Sequence, residues 1–566
     1  MTEKLATLWP EIILFTCACV VMLLGLSERL GVRRLCAPVS VAGLLIAGLF
    51  AFYKTPVDPA AMLPNLPVFG KVLAAGIGLL ILGLLTGIPD RDYEARVAQG
   101  RTRFDPKRTI RSEFYAFFLF SITGLMLCAG ATNLIWLFLA LELTSLPTYV
   151  MVALRTQRDK SLEAAVKYFF LGAMAAAVFL FGFVLLYGAT GSVELAQIGA
   201  TLRHQASVEG GINPIALAGL VLGILGLCFK IAAVPMHFYT PDVYQGAASP
   251  VAGMLAFVPK AAGFFALMLL LTAPGWGWMQ PGGPGGGHGA LPTPIGEILA
   301  IIAVASMTLG NVLAIMQTSV KRLLAYSSIA HSGYMLVALL AGPGRPGTLL
   351  PENGYSAILF YLLSYGLTST AAFAVLALLE RKGPDGQVHE ADDFADIRGL
   401  RKKHPALAWV LALSALGLMG FPPLLGFFAK LPLFASGLAG GHLVLVVILG
   451  LNSAVAAFYY LRIVSAALLE SPDASGHAEG MVQTPFRGRA LAGYVGVLAM
   501  VAMVVLPLLS AGSFLHVTPA SWASFGGTYK DAAPLAIAPR LPSPATPMGA
   551  APTGEGPMSE DAPARP

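Results

Sequence analysis

The chain has 566 residues, of which 56% are hydrophobic and 12% charged, and its mean hydropathy is +0.73. A soluble globular protein carries about twice that charged fraction, so the composition excludes a soluble enzyme. The net charge of +6 lies in loops beside apolar runs, which is the pattern of a multi-pass membrane protein and not a nucleic-acid footprint.

Runs near the roughly 20 apolar residues that cross a bilayer recur along the chain. They predict fourteen spans, at about 9–28, 36–53, 69–88, 114–131, 133–153, 166–188, 213–239, 250–272, 295–315, 322–342, 355–379, 405–437, 440–463 and 488–512. With residues at span edges counted to the adjoining loop, loops after odd-numbered spans carry twenty-four Lys and Arg, against eight in the termini and the other loops, and Lys167, Lys230, Lys260 and Lys430 are left inside or at the edge of spans. That excess places odd loops in the cytoplasm and both termini outside. The N-terminus has no basic leader or small-residue cleavage site, so the first span is expected to stay. Cys17, Cys19, Cys36, Cys128 and Cys228 fall in or at the edges of spans without a paired CxxC, so neither a disulfide framework nor a metal site is expected.

The expected fold class is an all-α polytopic membrane protein. Residues 1–112 hold three spans and a charged cytoplasmic loop. Residues 113–272 and 295–463 form two five-helix units around a Gly-rich loop at 273–294. A loop and the last span follow at 464–512, and 513–566 is a Pro/Ala-rich tail expected to be disordered.

A weak internal repeat underlies the two units. Span seven has Leu225-Gly226-Leu227, then Lys230 and Pro235. Span twelve has Leu416-Gly417-Leu418, then Pro422-Pro423 and Lys430. Each pairs a break with a lysine, although the order of proline and lysine differs. Five crossings per unit turn the second unit upside down relative to the first, a recurring transporter plan. Broken helices are tolerated inside a membrane only beside protein or a water-filled cavity, and a buried ammonium is costly. Together they suggest an ion path, most simply for protons.

Glu142, in LFLALELTSLPTYV, has Lys230 as its natural partner. The two exist as charges when close and as neutral groups when apart, which makes the pair a proton switch. The plainer reading is a static ion pair, a weak stabiliser when buried. Lys260 lies too deep for easy snorkelling and reads as a relay. His331, in KRLLAYSSIAHSGYM, titrates near neutral pH and can pass protons, or can simply bond two helices. Lys430 follows the second break and reads as the donor to the outer side. Lys167, near a span end, is a possible further member or a snorkelling residue. Asp242 and His237 read as caps of the short helix after the first break. Glu11, Glu113, Glu163 and Glu297 read as interfacial. No GxGxxG unit, P-loop or Cys cluster is present, so no nucleotide, iron–sulfur or haem site is expected in the chain.

KYFFLGAMAAAVFLFGFVLLYGATGS, FKIAAVPMHFYTPDVYQGAASPV, KRLLAYSSIAHSGYMLVALL and GFPPLLGFFAKLPLF occur in that order. Together they resemble the antiporter-like subunit family of bacterial proton-pumping NADH–quinone oxidoreductase (complex I), and within it the subunit N group. The resemblance covers roughly 110–465. It implies fourteen spans, inverted five-helix repeats and discontinuous helices seven and twelve. It implies proton transfer by Glu142, Lys230, Lys260, His331 and Lys430, with flavin, iron–sulfur clusters and quinone held by partner subunits. It also implies neighbouring antiporter-like subunits as partners and the cell inner membrane as location. Subunit M typically has Glu where Lys430 stands, and subunit L carries a long lateral helix that the tail here does not suggest. Departures are Tyr239, where Trp is usual, the Gly-rich loop and the tail. Rival readings are a subunit of a multi-subunit sodium/proton antiporter, of a membrane-bound hydrogenase-type complex, or a structural subunit that only transmits motion.

Overall fold

The computed structural model describes residues 7–55, 63, 65–86, 100–103, 112–154, 158–209, 211–275, 291–343, 353–382, 388–471 and 489–514. The tail beyond 514, most of the charged loop and most of the Gly-rich loop lie outside the described residues. In hydrocarbon every backbone N–H and C=O needs an internal partner, so the apolar runs fold as helices. In chain order these are α1 (Trp9–Leu26), α2 (Leu30–Arg33), α3 (Cys36–Lys54), α4 (Leu66–Leu85), α5 (Ser112–Ala129), α6 (Leu134–Ala153), α7 (Arg158–Thr190), α8 (Leu195–Glu209), α9 (Pro214–Lys230), α10 (Thr240–Gly246), α11 (Ser249–Thr272), α12 (Thr293–Ile315), α13 (Val320–Ala341) and α14 (Gly354–Leu378). A short antiparallel ribbon of β1 (Glu380–Lys382) and β2 (Val388–Glu390) follows. The rest is α15 (Phe394–Ile397), α16 (Leu400–Lys403), α17 (Pro405–Met419), α18 (Leu425–Ala439), α19 (Leu443–Val464) and α20 (Arg489–Phe514).

Among the described residues, 11 helices are long and apolar enough to cross a bilayer. Three further spans make up the expected fourteen: the broken pairs α9–α10 and α17–α18, and the apolar part of α20, Leu491–Pro507. The N-terminal helix α3 packs on α1 and α4, and all three pack on α5.

The two five-helix units share one packing scheme. In α5, α6, α7, α9–α10 and α11, the first helix packs on the second, the second on the third and the third on the broken fourth; the fourth meets the fifth, which returns to the first. The same sequence of contacts runs through α12, α13, α14, α17–α18 and α19. The units meet where α11 packs on α14 and the half-helix α10 packs on α13. The membrane-spanning windows of α11, α13 and α14 are 100%, 94% and 94% buried, so these three form the centre of the protein.

The breaks satisfy the backbone groups they free, as a break at this depth requires. After α9, the Ala233 N–H donates to the Cys228 carbonyl at 2.8 Å and the Tyr239 hydroxyl donates to the Phe229 carbonyl at 2.7 Å. The Val234 N–H donates to Ser306 Oγ at 3.0 Å, and Ser332 Oγ donates to the Ile231 carbonyl. Cis peptide bonds precede Pro235 and Pro423. After α17, Gly420 sits at φ +85°, a left-handed conformation that glycine takes without a Cβ clash. Its N–H and that of Phe421 donate to the Leu416 carbonyl at 3.0 and 2.9 Å, closing the helix end.

Helices α7 and α9 cross at glycines. A Cβ on Gly182 would lie 2.6 Å from the Gly219 carbonyl oxygen and 2.6 Å from the Gly223 nitrogen. Small residues permit such close helix approach in a membrane. Gly182→Leu is expected to splay the pair and cost about 1–3 kcal/mol, read as a lower thermal midpoint of the detergent-purified assembly.

Span seven was expected as one interrupted run over 213–239; its regular helix stops at Lys230, and its second part, α10, runs from Thr240 to Gly246. Helix α8 and the β-ribbon are additions. Both are too short and too polar to register as spans.

Candidate functional site

The ammonium of Lys230 ends α9, where the helix carbonyls favour a cation. Its Nζ lies 3.3 Å from Glu142 Oε1 on α6 and donates to Ser145 Oγ at 2.6 Å. Asn133 sets the start of α6, its Oδ1 accepting from the Trp136 N–H at 2.8 Å. One turn separates Glu142 from Ser145, so a single face of α6 offers the lysine a carboxylate and a hydroxyl. The Lys230 side chain is 2% exposed and that of Glu142 20%, so the carboxylate is the less enclosed partner. The Phe179 ring lies 5.8 Å from the ammonium.

From Lys230 a cavity lined by Tyr168, Tyr239, Thr240 and Tyr244 leads to Lys260. Lys260 Nζ donates to Ser332 Oγ at 2.8 Å and to the Ser328 carbonyl. It also sits 5.1 Å from the Tyr365 ring centroid, a favourable placement for a desolvated cation. The Tyr365 ring also lies near His331, at 5.2 Å between centroids. His331 has a phenol at each ring nitrogen: Tyr361 at Nδ1 and Tyr460 at Nε2, the latter at 2.7 Å.

Lys430 closes the series. Its Nζ donates to the Met419 carbonyl at 2.7 Å, a group freed at the end of α17, and lies 5.2 Å from the Tyr334 ring centroid. Tyr334 is steadied by Asn311, whose Nδ2 donates to its hydroxyl at 2.9 Å. Each unit thus brings its lysine to the open end of a half-helix: Lys230 on the helix before its break, Lys430 on the helix after it. The Met419 carbonyl at the end of α17 accepts from Lys430, whereas the Lys230 ammonium turns to the side chains of α6.

Other residues stand differently from the sequence reading. Lys167 is not part of this buried series. It is 41% exposed, 2.7 Å from both Glu163 and Asp242. Asp242 is more than a cap of α10, because Arg322 on α13 also reaches it at 2.7 Å. Glu11, expected at the interface, is buried against Lys71 at 2.8 Å; Lys71 Nζ also donates to the Thr7 carbonyl just before α1. A second buried pair missed by the sequence reading joins Lys321 at the start of α13 to Glu390 at the end of β2. Tyr361, Tyr460 and Ser145 were missed as well. The linear signal for Tyr361 is its four-residue spacing to Tyr365, which marks a shared helix face.

Two five-helix units with broken fourth helices and a buried carboxylate, lysine and histidine series define an antiporter-like membrane protein. A family described as NADH:quinone oxidoreductase/Mrp antiporter, transmembrane, matches residues 131–456. The NADH-quinone oxidoreductase subunit N of Herminiimonas arsenicoxydans is 35% identical over 476 residues, 82% of this chain and 88% of that protein. A chain in the structure of respiratory complex I from Thermus thermophilus with bound Aureothin aligns with a TM-score of 0.66 at 31% identity, covering 89% of this chain and 98% of that one. A chain of the Mrp complex from Dietzia sp. DQ12-45-1b aligns with a TM-score of 0.68 at 19% identity, covering 94% of this chain and 97% of that one; this likeness is one of fold. The chain belongs to the family of NADH–quinone oxidoreductase subunit N.

Proposed function

We propose that the chain is a proton-translocating membrane subunit of an NADH–quinone oxidoreductase of complex I type. The observation that supports this reading is the Glu142–Lys230 pair at one broken helix and Lys430 at the other, with Lys260 and His331 buried on α11 and α13. Quinone reduction in partner subunits shifts charge along the membrane arm. A shift that draws Glu142 from Lys230 removes the counter-charge of a desolvated ammonium, which then gives up its proton. The proton passes by Lys260 and His331 and leaves from Lys430. Both termini lie on the periplasmic side, and the lateral partners are neighbouring antiporter-like subunits in the inner membrane. Flavin, iron–sulfur clusters and quinone belong to the partner subunits.

Affinity purification of the chain from its native membrane in mild detergent tests the assignment. NADH-dependent quinone reduction with co-purifying flavin and iron–sulfur subunits is the expected result. An intact membrane assembly without redox subunits overturns it in favour of a sodium/proton antiporter.

The Lys230–Ser145 bond gives a narrower test. Hydrogen bonds to charged groups contribute about 1.5–3 kcal/mol. Ser145→Ala is therefore expected to slow proton translocation about tenfold or more in reconstituted liposomes, with assembly retained.

A further inference from the structure

The geometry points to Tyr361 and Tyr460 as proton-transfer residues in their own right, one on each side of His331. This inference rests on the proton-translocating reading above and adds to it the groups through which the histidine works.

Helix α13 presents two faces that differ by one residue. Ser328 and Ser332, four apart, hold Lys260. Ser327 and His331, also four apart, hold Tyr460: its hydroxyl bonds Ser327 Oγ and lies 2.7 Å from His331 Nε2. Tyr361, on α14, occupies Nδ1. All of these side chains are buried, with His331 at 1% exposure, Tyr460 at 0% and Tyr361 at 3%. A neutral imidazole has one N–H and one lone pair. With a hydroxyl on each nitrogen, one phenol must donate and the other accept. Two arrangements of equal connectivity follow, and passing one proton converts one into the other.

The step balances without an ionised phenol. In one arrangement Tyr361 donates to Nδ1, while Nε2–H donates to Tyr460, whose own proton points to Ser327. When a proton arrives on the Tyr361 oxygen, the original Tyr361 proton moves to Nδ1. The Nε2 proton moves to the Tyr460 oxygen, and the original Tyr460 proton departs along its outgoing bond. Each O–H or N–H bond broken is matched by one formed. One proton enters at α14 and one leaves at α19. Rotation of the hydroxyls and exchange of the ring proton reset the chain. The phenols thus connect the unit-two helix that faces Lys260 with the helix that packs beside α17 and α18, the broken span holding Lys430.

The test uses the whole complex reconstituted in liposomes, with Tyr460→Phe and Tyr361→Phe, each of which keeps the ring and deletes one oxygen. Positioned proton-transfer groups contribute about 10²–10⁴-fold. At least a tenfold fall in proton translocation, with an enlarged solvent deuterium effect, is the expected result for each variant. Tyr355→Phe is the control: its hydroxyl, on the same helix as Tyr361, donates to the Met268 carbonyl at 2.8 Å and not to His331, so its translocation rate and isotope effect should stay near the parent values. An equal loss in Tyr355→Phe, Tyr361→Phe and Tyr460→Phe, with no isotope effect, would mean that these hydroxyls support packing alone and would overturn the inference. Lys230→Ala separates the two levels. If it stops translocation while Tyr460→Phe and Tyr361→Phe match the parent, the phenol relay falls and the proposed function stands. If none of the three alters translocation, the proposed function itself falls.

Discussion

Lys230→Ala is expected to stop proton translocation through this chain while the complex still assembles. The substitution removes the cation 3.3 Å from Glu142 and the donor 2.6 Å from Ser145. Glu142 is left as a mostly buried carboxylate without its counter-charge, and breaking such a pair from one side costs about 3–5 kcal/mol. Because each 1.4 kcal/mol is a factor of ten, the charge-separated state that drives the switch falls by about 10²-fold or more. Proton uptake into liposomes, measured with a pH-sensitive dye during NADH oxidation, reads the loss. Native gel electrophoresis reads assembly. Lys230→Arg keeps the charge but presents a planar fork in place of a compact ammonium, so partial recovery is expected. Unchanged translocation in Lys230→Ala would leave the pair a static ion pair and the chain a transmitter of motion.

The second large effect concerns stability and lies away from the proton path. Lys321 and Glu390 form an ion pair with side chains 0% and 6% exposed. Lys321 also donates to the Ala247 carbonyl at 3.3 Å, and the carboxylate accepts from Ser249 Oγ at 2.9 Å. The cluster ties the start of α13 in the second unit to the junction of α10 and α11 in the first. Arg322, the next residue, reaches Asp242 and Gln245 on α10. Two adjacent cations therefore bracket the half-helix that follows the first break. Lys321→Met is expected to cost about 3–5 kcal/mol, since it strands a buried carboxylate. The double variant Lys321→Met/Glu390→Leu is expected to regain much of that, because replacing both partners by apolar groups of similar volume is often close to neutral. Thermal midpoints of the purified complex would show the two shifts. Equal losses in the single and double variants would indicate that packing around the cluster, and not charge, is what the pair supplies.

Much of this arrangement was legible in the chain as written. The spans follow from apolar run length, since a helix must stay apolar over the bilayer thickness to be stable there. The breaks announce themselves at Pro235 and at Pro422-Pro423 because proline cannot donate to a helix ladder. The pairing of Glu142 with Lys230, 88 positions apart, could be reasoned from charge alone: two opposite charges in one membrane domain must find each other or neutralise.

Hydroxyls carry no such label. Ser145, Tyr361 and Tyr460 look like ordinary members of apolar helices, and only helix rotation and crossing bring them to Lys230 and His331. The same holds for Glu11 and Lys71. Each lies near the end of its span, where solvent is the natural expectation, and the packing of α1 and α4 against α5 buries them as a pair. Glu390 sits in a ribbon too short to be read from its sequence, yet it neutralises a lysine 69 positions earlier.

The sequence by itself determined the membrane class, the span number, the two breaks and the buried charges, because hydropathy, proline and charge act locally along the chain. Tertiary structure alone decided the direction each side chain faces and the partners it meets across helices. Those partners are set by interhelical packing between residues tens of positions apart, and they determine whether isolated titratable groups become a connected path.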